Sequence, residues 1–153
     1  KWFRVSDEKG YSIEETTLNA PYLQGLYMSR DHDLAMKWYK LAAEQGVAAS
    51  QFTLAWRYLN AGERDYQNAA KWFRLAAEQG VTPAQYWLGL MYLDGYGVVK
   101  NYTESYKWLN IVVAKGFEDA REPRDNLEER MNSDQIAEAQ KLAREWMDKH
   151  QKT

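Results

Sequence analysis

The sequence predicts an all-α protein, a right-handed α-α superhelix (solenoid) built from stacked helix pairs. A ten-residue segment at 37–46, KWYKLAAEQG, recurs as KWFRLAAEQG at 71–80, and a more divergent copy lies at 107–116. The chain opens on a related segment at 1–10, so the four closing glycines stand 36, 34 and 36 residues apart. This period is typical of helix-turn-helix repeats. Because one such unit cannot bury its apolar face alone, the units are expected to stack into an elongated array with a concave face.

The repeat spacing predicts a single helical-repeat domain. Its first part matches the second helix of a truncated upstream repeat, so we expect the natural protein to extend upstream. The predicted parts are residues 1–10, complete repeats at 11–46, 47–80 and 81–116, and a C-terminal capping helix pair at 117–153.

Apolar periodicity and capping residues predict the individual helices. They are expected at about 14–24, 31–45, 48–61, 66–79, 82–94, 118–131 and 133–149, with a further helix that begins at Asn101. Asp31, Asp65 and Asn101 are placed to cap helix starts, and Asn101 with Glu104 has capping-box spacing. At the last helix, Asn132 and Gln135 form a second capping box, with Met131 and Ile136 as a hydrophobic staple. Five tryptophans occupy equivalent repeat positions and are predicted to lie in the core: Trp2, Trp38, Trp72, Trp108 and Trp146.

Composition narrows the classes of function. Hydrophobic residues make up 45% of the chain, but no apolar run is long enough for membrane insertion. The net charge of −2, with both signs interspersed, lacks the basic surface of a nucleic-acid binder. The sequence contains no cysteine, which excludes disulfides, thiolate nucleophiles and cysteine-ligated metals. We expect no cofactor.

One motif suggests an alternative, catalytic function. Ser6 and Lys9 have the Ser-x-x-Lys spacing of penicillin-binding proteins and β-lactamases. These residues align with the repeated Ala-Ala-Glu-Gln segment, and no Ser-Asp-Asn or Lys-Thr-Gly partner is present. The sequence therefore predicts a non-enzyme, with a penicillin-binding or β-lactamase-like hydrolase as the alternative.

Two further motifs are better explained by structure than by ligand binding. Asp31-His32-Asp33 could ligate a metal, but it stands where the other units cap a helix. With two histidines and no cysteine, we expect no metal site. Gly95-Tyr96-Gly97 lacks the third glycine and the preceding strand of a dinucleotide-binding loop, and it is expected to form a turn.

The repeats resemble the SEL-one-like repeat (SLR) family, a relative of the tetratricopeptide repeats. The third unit carries the clearest match, and the first two carry the Trp-aromatic-x-x-Ala-Ala-Glu-Gln-Gly ending. Two units depart from the family pattern: unit two has Ala61 at the position of the loop glycine, and unit one has Asn19 at the position of Gly89 and Pro21 at that of Met91. The matching positions of unit three are Ala84, Leu88, Gly89, Met91, Tyr92, the segment from Asp94 to Val98, Trp108, Ala114 and Gly116.

The resemblance implies a non-catalytic protein-protein interaction scaffold or adaptor. Some bacterial SLR proteins are immunity proteins against secreted effectors, others serve in envelope or host-interaction assemblies, and some are associated with penicillin binding. The implied partner is a protein or peptide, and we expect this chain to be monomeric alone. The resemblance slightly favours a periplasmic or secreted location and leaves a cytoplasmic one open.

Trp56 and Trp87 lie outside the set of equivalent tryptophans. In tetratricopeptide-like pairs the first helix lines the concave face, which by resemblance would place a partner-binding surface on the first helices of units two and three. An alternative for Phe52, Leu59 and Tyr86 is packing between repeats. The predicted partner-binding residues are Phe52, Trp56, Leu59, Asn60, Tyr86, Leu90 and Asp94.

Overall fold

The computed structural model describes residues 32–60 and 64–150, and within them it contains helices and no strand. The predicted all-α array of helix pairs is confirmed. The segment 1–10, the helix predicted at 14–24, and Ser6, Lys9, Asp31 and Ala61 lie outside the described residues. The helices are α1 His32–Glu44, α2 Ala48–Asn60, α3 Tyr66–Glu78, α4 Thr82–Asp94, α5 Tyr102–Ala114, a 3₁₀ turn Glu118–Ala120, α6 Arg121–Glu128 and α7 Ser133–His150.

The repeated glycines end the second helix of each unit. Gly46, Gly80 and Gly116 have φ angles of 93°, 95° and 93°, a conformation that side chains disfavour. At the first of them, the Gly46 N–H donates to the Ala43 carbonyl and the Val47 N–H donates to the Ala42 carbonyl. The other two glycines repeat this Schellman pattern. The periodic glycines are therefore helix stops from which the next repeat begins.

Side-chain caps mark the starts of α3 and α7. The Asp65 carboxylate accepts a hydrogen bond from the Asn68 N–H at 3.0 Å, as an N-cap should. Before α7, the Asn132 N–H donates to Gln135 Oε1 and the Gln135 N–H donates to Asn132 Oδ1, at 3.0 and 2.8 Å. Both predictions are confirmed.

The capping box predicted at Asn101 forms only in part. Asn101 Oδ1 accepts from the Glu104 N–H at 3.1 Å, but the Asn101 N–H donates to the Tyr92 carbonyl. The Glu104 carboxylate pairs instead with Lys107 at 3.1 Å. The loop folds back on the end of α4, so a backbone carbonyl occupies the donor that the glutamate would have bound.

The helix predicted at 118–131 is wrong in its form, because a 3₁₀ turn precedes the eight-residue helix α6. Pro123 explains the break. A continuous α-helix from Glu118 would need an N–H at position 123 to bond the Asp119 carbonyl, and the proline ring would collide with that carbonyl. The α-helix therefore begins at Arg121, which places the proline in its first turn.

The repeated tryptophans are core residues only in the middle of the described array. Trp72 and Trp108 are 4% and 1% exposed. Trp38 is half-buried, while its neighbour Tyr39 is buried. Trp146 is also half-buried, because one edge of the ring meets Trp108 at 5.6 Å and one face stacks on His150. The core prediction for Trp38 and Trp146 is corrected accordingly, and Trp2 lies outside the described residues.

Buried polar side chains join successive repeats. Gln51 and Gln85 are equivalent and buried, and each donates Nε2 to a carbonyl near the end of the preceding helix, at 3.1 and 3.0 Å. Gln79 Nε2 donates to Gln51 Oε1 at 2.8 Å and to the Gly46 carbonyl at 3.0 Å. Lys115 Nζ makes the equivalent bonds to Gln85 and Gly80, also at 2.8 and 3.0 Å. We call each such set of bonds an inter-repeat latch.

Candidate functional site

The first helices of consecutive repeats, α2 and α4, border a groove of about 290 Å³. Trp56 and Trp87 bring the two helices into direct contact, with ring centroids 5.4 Å apart. We call this the aromatic groove. It is lined by Trp56, Leu59, Asn60, Arg64, Tyr66, Trp87, Leu90, Met91, Asp94 and Tyr96.

Trp56 is an exposed aromatic residue in this groove. The buried residues Leu54 and Ala55 turn one side of α2 toward the core, and the helical period leaves Trp56 on the groove side. Its side chain is 40% exposed, although one face stacks on Phe52 at 6.5 Å and an edge meets Trp87. The indole is thus held in place by neighbours while part of its apolar surface faces solvent.

Polar and aromatic groups close one end of the aromatic groove. Tyr66, at the start of α3, stacks on Tyr96 of the following loop with centroids 4.9 Å apart. Arg64 Nη1 donates to the Tyr66 hydroxyl at 3.3 Å, and this hydrogen bond raises the pKa of Arg64. Asn60 Nδ2 donates to the Trp56 carbonyl at 2.8 Å. The groove therefore combines an apolar floor with polar groups at its edge.

A second groove, of about 700 Å³, lies along the neighbouring face of α4 and shares Leu90 and Asp94 with the aromatic groove. We call it the acidic groove because carboxylates dominate its charged groups. Tyr86 packs against Phe117 there, with ring centroids 4.9 Å apart, and burial together with the Asp119 carboxylate raises the pKa of Tyr86. The lining residues are Tyr86, Leu90, Leu93, Asp94, Glu118, Asp119, Glu122, Pro123, Asn126, Leu127 and Arg130.

The structure distributes the predicted partner-binding residues over both grooves. The aromatic groove brings together Trp56, Leu59, Asn60, Leu90 and Asp94. Tyr86 instead lines the acidic groove, whose wall also includes Leu90 and Asp94. Phe52 lines neither groove, because its ring packs against Phe73 at 5.8 Å and lies behind Trp56.

The sequence interpretation left several groove residues out of the predicted set. Trp87 carried a usable signal, since it shares with Trp56 the property of lying outside the repeated tryptophans. The sequence contains no signal for Tyr66 and Tyr96, because nothing in a single repeat indicates that a helix start and a later loop come together in space. Arg64 and Met91 were likewise not selected, although both line the aromatic groove.

Within residues 32–60 and 64–150, no three histidine, cysteine or acidic side chains are grouped so that they could hold a metal ion. Gly95-Tyr96-Gly97 forms the turn expected of it, with φ angles of 77° and 74° at its glycines. None of the helices in the described part of the chain is both long and apolar enough to cross a membrane.

Comparison with protein families assigns the repeats. The Sel1 repeat model matches residues 20–47, 48–81 and 82–111, more than half of the chain. The chain belongs to the Sel1 repeat family. Sel1 repeats generally mediate protein-protein interactions, and members of the family are typically non-catalytic scaffolds. This Sel1 repeat protein has no detectable match among curated proteins.

Solved structures support the same assignment. The chain is similar to c5321, described as a protective antigen of uropathogenic Escherichia coli with an SLR fold, at 29% identity and a TM-score of 0.77 over 97% of this chain. It spans only 32% of c5321. A Sel1 repeat protein from Oxalobacter formigenes is also 29% identical, with a TM-score of 0.63, and the match covers 71% of this chain and 88% of that protein.

Proposed function

We propose that this Sel1 repeat protein is a non-catalytic adaptor that binds a segment of a protein partner in the aromatic groove, with Trp56 as the main anchor. The observation that carries the proposal is the exposed Trp56 indole, braced by Phe52 and Trp87 beside a groove between two repeats. Five residues predicted from sequence line that groove.

The energetics favour binding at this position. An indole that is already braced loses little side-chain freedom when a partner covers it, and its remaining apolar surface leaves water at about 25 cal/mol per Å². Tryptophans at the centre of an interface, surrounded by polar groups, are the usual binding hot spots. Asn60, Arg64 and Asp94 supply such polar groups around Trp56.

We propose two finer roles from the family resemblance. The protein is a candidate effector-binding immunity protein, or a candidate envelope or host-interaction adaptor. Its similarity to a protein described as a protective antigen supports the second role. Because the chain spans about a third of c5321, the role of that whole protein is carried over only as a proposal.

Trp56→Ala tests the anchor. Tagged wild-type and variant chains would be used to isolate partners from the source cell, with mass spectrometry as the readout, and the affinity of the purified partner would then be measured. We expect Trp56→Ala to weaken binding by about 2 kcal/mol or more, roughly thirtyfold, with helicity retained.

Leu75→Ala is a matched control for this experiment. Leu75 is 41% exposed, nearly the same as Trp56, but it lies on α3 and outside the aromatic groove. The control should bind the partner normally. Unchanged affinity of a folded Trp56→Ala variant, or an equal loss of folding and binding, would contradict the anchor role.

A further inference from the structure

The two grooves are adjacent surfaces of one repeat array. Leu90 and Asp94, one helical turn apart on α4, contribute to the walls of both. A partner segment that crosses α4 would therefore contact both grooves. The inference below rests on the proposed function, because it concerns the same bound segment.

The acidic groove carries an excess of negative charge. Its lining contains four carboxylates and one guanidinium, that of Arg130. Glu118 is paired with Arg121 at 2.9 Å. In the described part of the chain, Asp94, Asp119 and Glu122 form neither an ion pair nor a side-chain hydrogen bond. Three carboxylates are thus available to a ligand.

Aromatic surface lies beside these carboxylates. Tyr86 lines the acidic groove and is held between Phe117 and Trp87, with centroid distances of 4.9 and 5.8 Å. Carboxylates form charge-assisted hydrogen bonds with ammonium and guanidinium groups, and an aromatic face attracts the same cations. An acidic segment would instead meet repulsion from three unpaired carboxylates.

We propose that the bound partner segment is basic and carries a bulky apolar residue for the aromatic groove and a lysine or arginine for the acidic groove. The spacing follows from geometry. A chain that passes over the shared wall of Leu90 and Asp94 has to span about the width of a helix, roughly 10 Å. An extended chain covers that distance in about three residues at 3.3 Å per residue. The expected motif is apolar-x-x-Lys/Arg, in either chain direction.

Peptide display on the full chain tests this proposal. A library of random 12-residue peptides would be selected against the immobilised protein, and an enriched peptide would be synthesised for affinity measurement. We expect enrichment of lysine or arginine about three positions from a bulky apolar residue. We also expect affinity to fall with rising salt, because screening weakens attraction between partly exposed charges.

The variants separate the contributions of the two grooves. Asp119→Asn with Glu122→Gln should lower the affinity for the enriched peptide at least fivefold, and Trp56→Ala should lower it at least tenfold. Asp134→Asn with Glu138→Gln is the matched control, since it removes the same charge from exposed positions on α7. That control should leave the affinity unchanged.

Each result has a separate meaning. Two results would overturn the inference and leave the proposed function standing. In the first, the peptides require Trp56 for binding but carry no basic residue; in the second, their affinity is unchanged by Asp119→Asn with Glu122→Gln. Basic peptides that ignore Trp56→Ala would overturn the proposed anchor instead. Enriched acidic peptides, or no enrichment, would overturn the inference.

Discussion

Trp56, Trp72 and Trp108 show how position within a repeat decides what one residue type does. Trp72 and Trp108 follow the repeated lysine on second helices and are almost fully buried, whereas Trp56 on a first helix is 40% exposed. The buried indoles fill volume between helices, where packing density is high. The exposed indole retains surface for a partner.

Among the described glycines, Gly97 has the strictest backbone requirement. Its φ angle is 74°, and a Cβ at this position would overlap the Tyr66 carbonyl. Gly97→Ala should therefore lower the free energy of unfolding by about 3 kcal/mol or more, since backbone must shift in addition to the left-handed strain of about 1–2 kcal/mol. Urea unfolding followed by circular dichroism measures the change.

Gly80→Ala is the comparison variant. Gly80 also has a positive φ, 95°, but no atom lies within 4 Å of an added Cβ. Gly80→Ala should lower the free energy of unfolding by the left-handed backbone strain alone, about 1–2 kcal/mol. Equal destabilisation by the two variants would show that the contact with Tyr66 is unimportant.

At the scale of the elements, the inter-repeat latches show how one junction can be built from different residues. Gln79 and Lys115 stand just before successive closing glycines, and their side chains bind equivalent acceptors at nearly equal distances. The difference is charge. Partial burial lowers the pKa of Lys115, because desolvation disfavours the ammonium form.

Substitution of Lys115 tests the latch. Lys115→Gln copies the residue found at Gln79, so we expect a change in unfolding free energy of less than about 0.5 kcal/mol at pH 7. Lys115→Ala removes the donor and should cost about 1 kcal/mol, because the Gln85 and Gly80 acceptors lose their partner. Equal stability of the two variants would show that the hydrogen bonds of Lys115 do not stabilise the stacking of the repeats.

The pH dependence of Lys115→Gln supplies a second readout. The pKa of Lys115 is lowered in the folded state from an ordinary 10.5. Between the lowered value and 10.5 the unfolded chain binds more protons, so this residue makes the wild type more stable as pH rises. As pH rises to about 10.5, the free energy of unfolding of the wild type should therefore increase relative to that of Lys115→Gln. A constant difference would contradict the proposed desolvation.

In the molecule as a whole, helix α7 determines which part of the surface of the repeats is buried. Leu41 and Leu75 occupy equivalent positions and are each 41% exposed, whereas the corresponding Ile111 is fully buried. Helix α7 packs against α5, and its residues Ala143 and Trp146 belong to the same core cluster as Ile111. The terminal helix thus covers a surface that remains open on the preceding repeats.

Removal of α7 should destabilise the array. A chain ending at Asn132 would expose Ile111 and Trp108, and each loses burial worth about 1.5–3 kcal/mol. We expect the free energy of unfolding to fall by at least about 3 kcal/mol. We also expect the shortened protein to associate in a concentration-dependent manner in sedimentation experiments. A chain ending at His150 is the control and should match the full chain. A monomeric shortened protein of unchanged stability would contradict the capping role of α7.

Local interactions explain why the sequence predicted much of the fold. The glycine period located the ends of α1, α3 and α5, because the Schellman bonds that stop these helices involve residues close in the chain. The caps at Asp65 and Asn132 are equally local. The prediction of one continuous helix at 118–131 does not take account of Pro123, which lies in the first turn of α6.

Periodicity and short-range bonding are enough to predict the repeat array, most boundaries of the described helices and the unusual position of Trp56. The contacts between Trp56 and Trp87 and between Tyr66 and Tyr96 appear only in the folded protein, as does the placement of Tyr86 in a different groove from Trp56. They arise from the stacking of neighbouring repeats. The contacts between side chains some 30 residues apart depend on how the helices are offset and rotated, which no pattern within one repeat specifies.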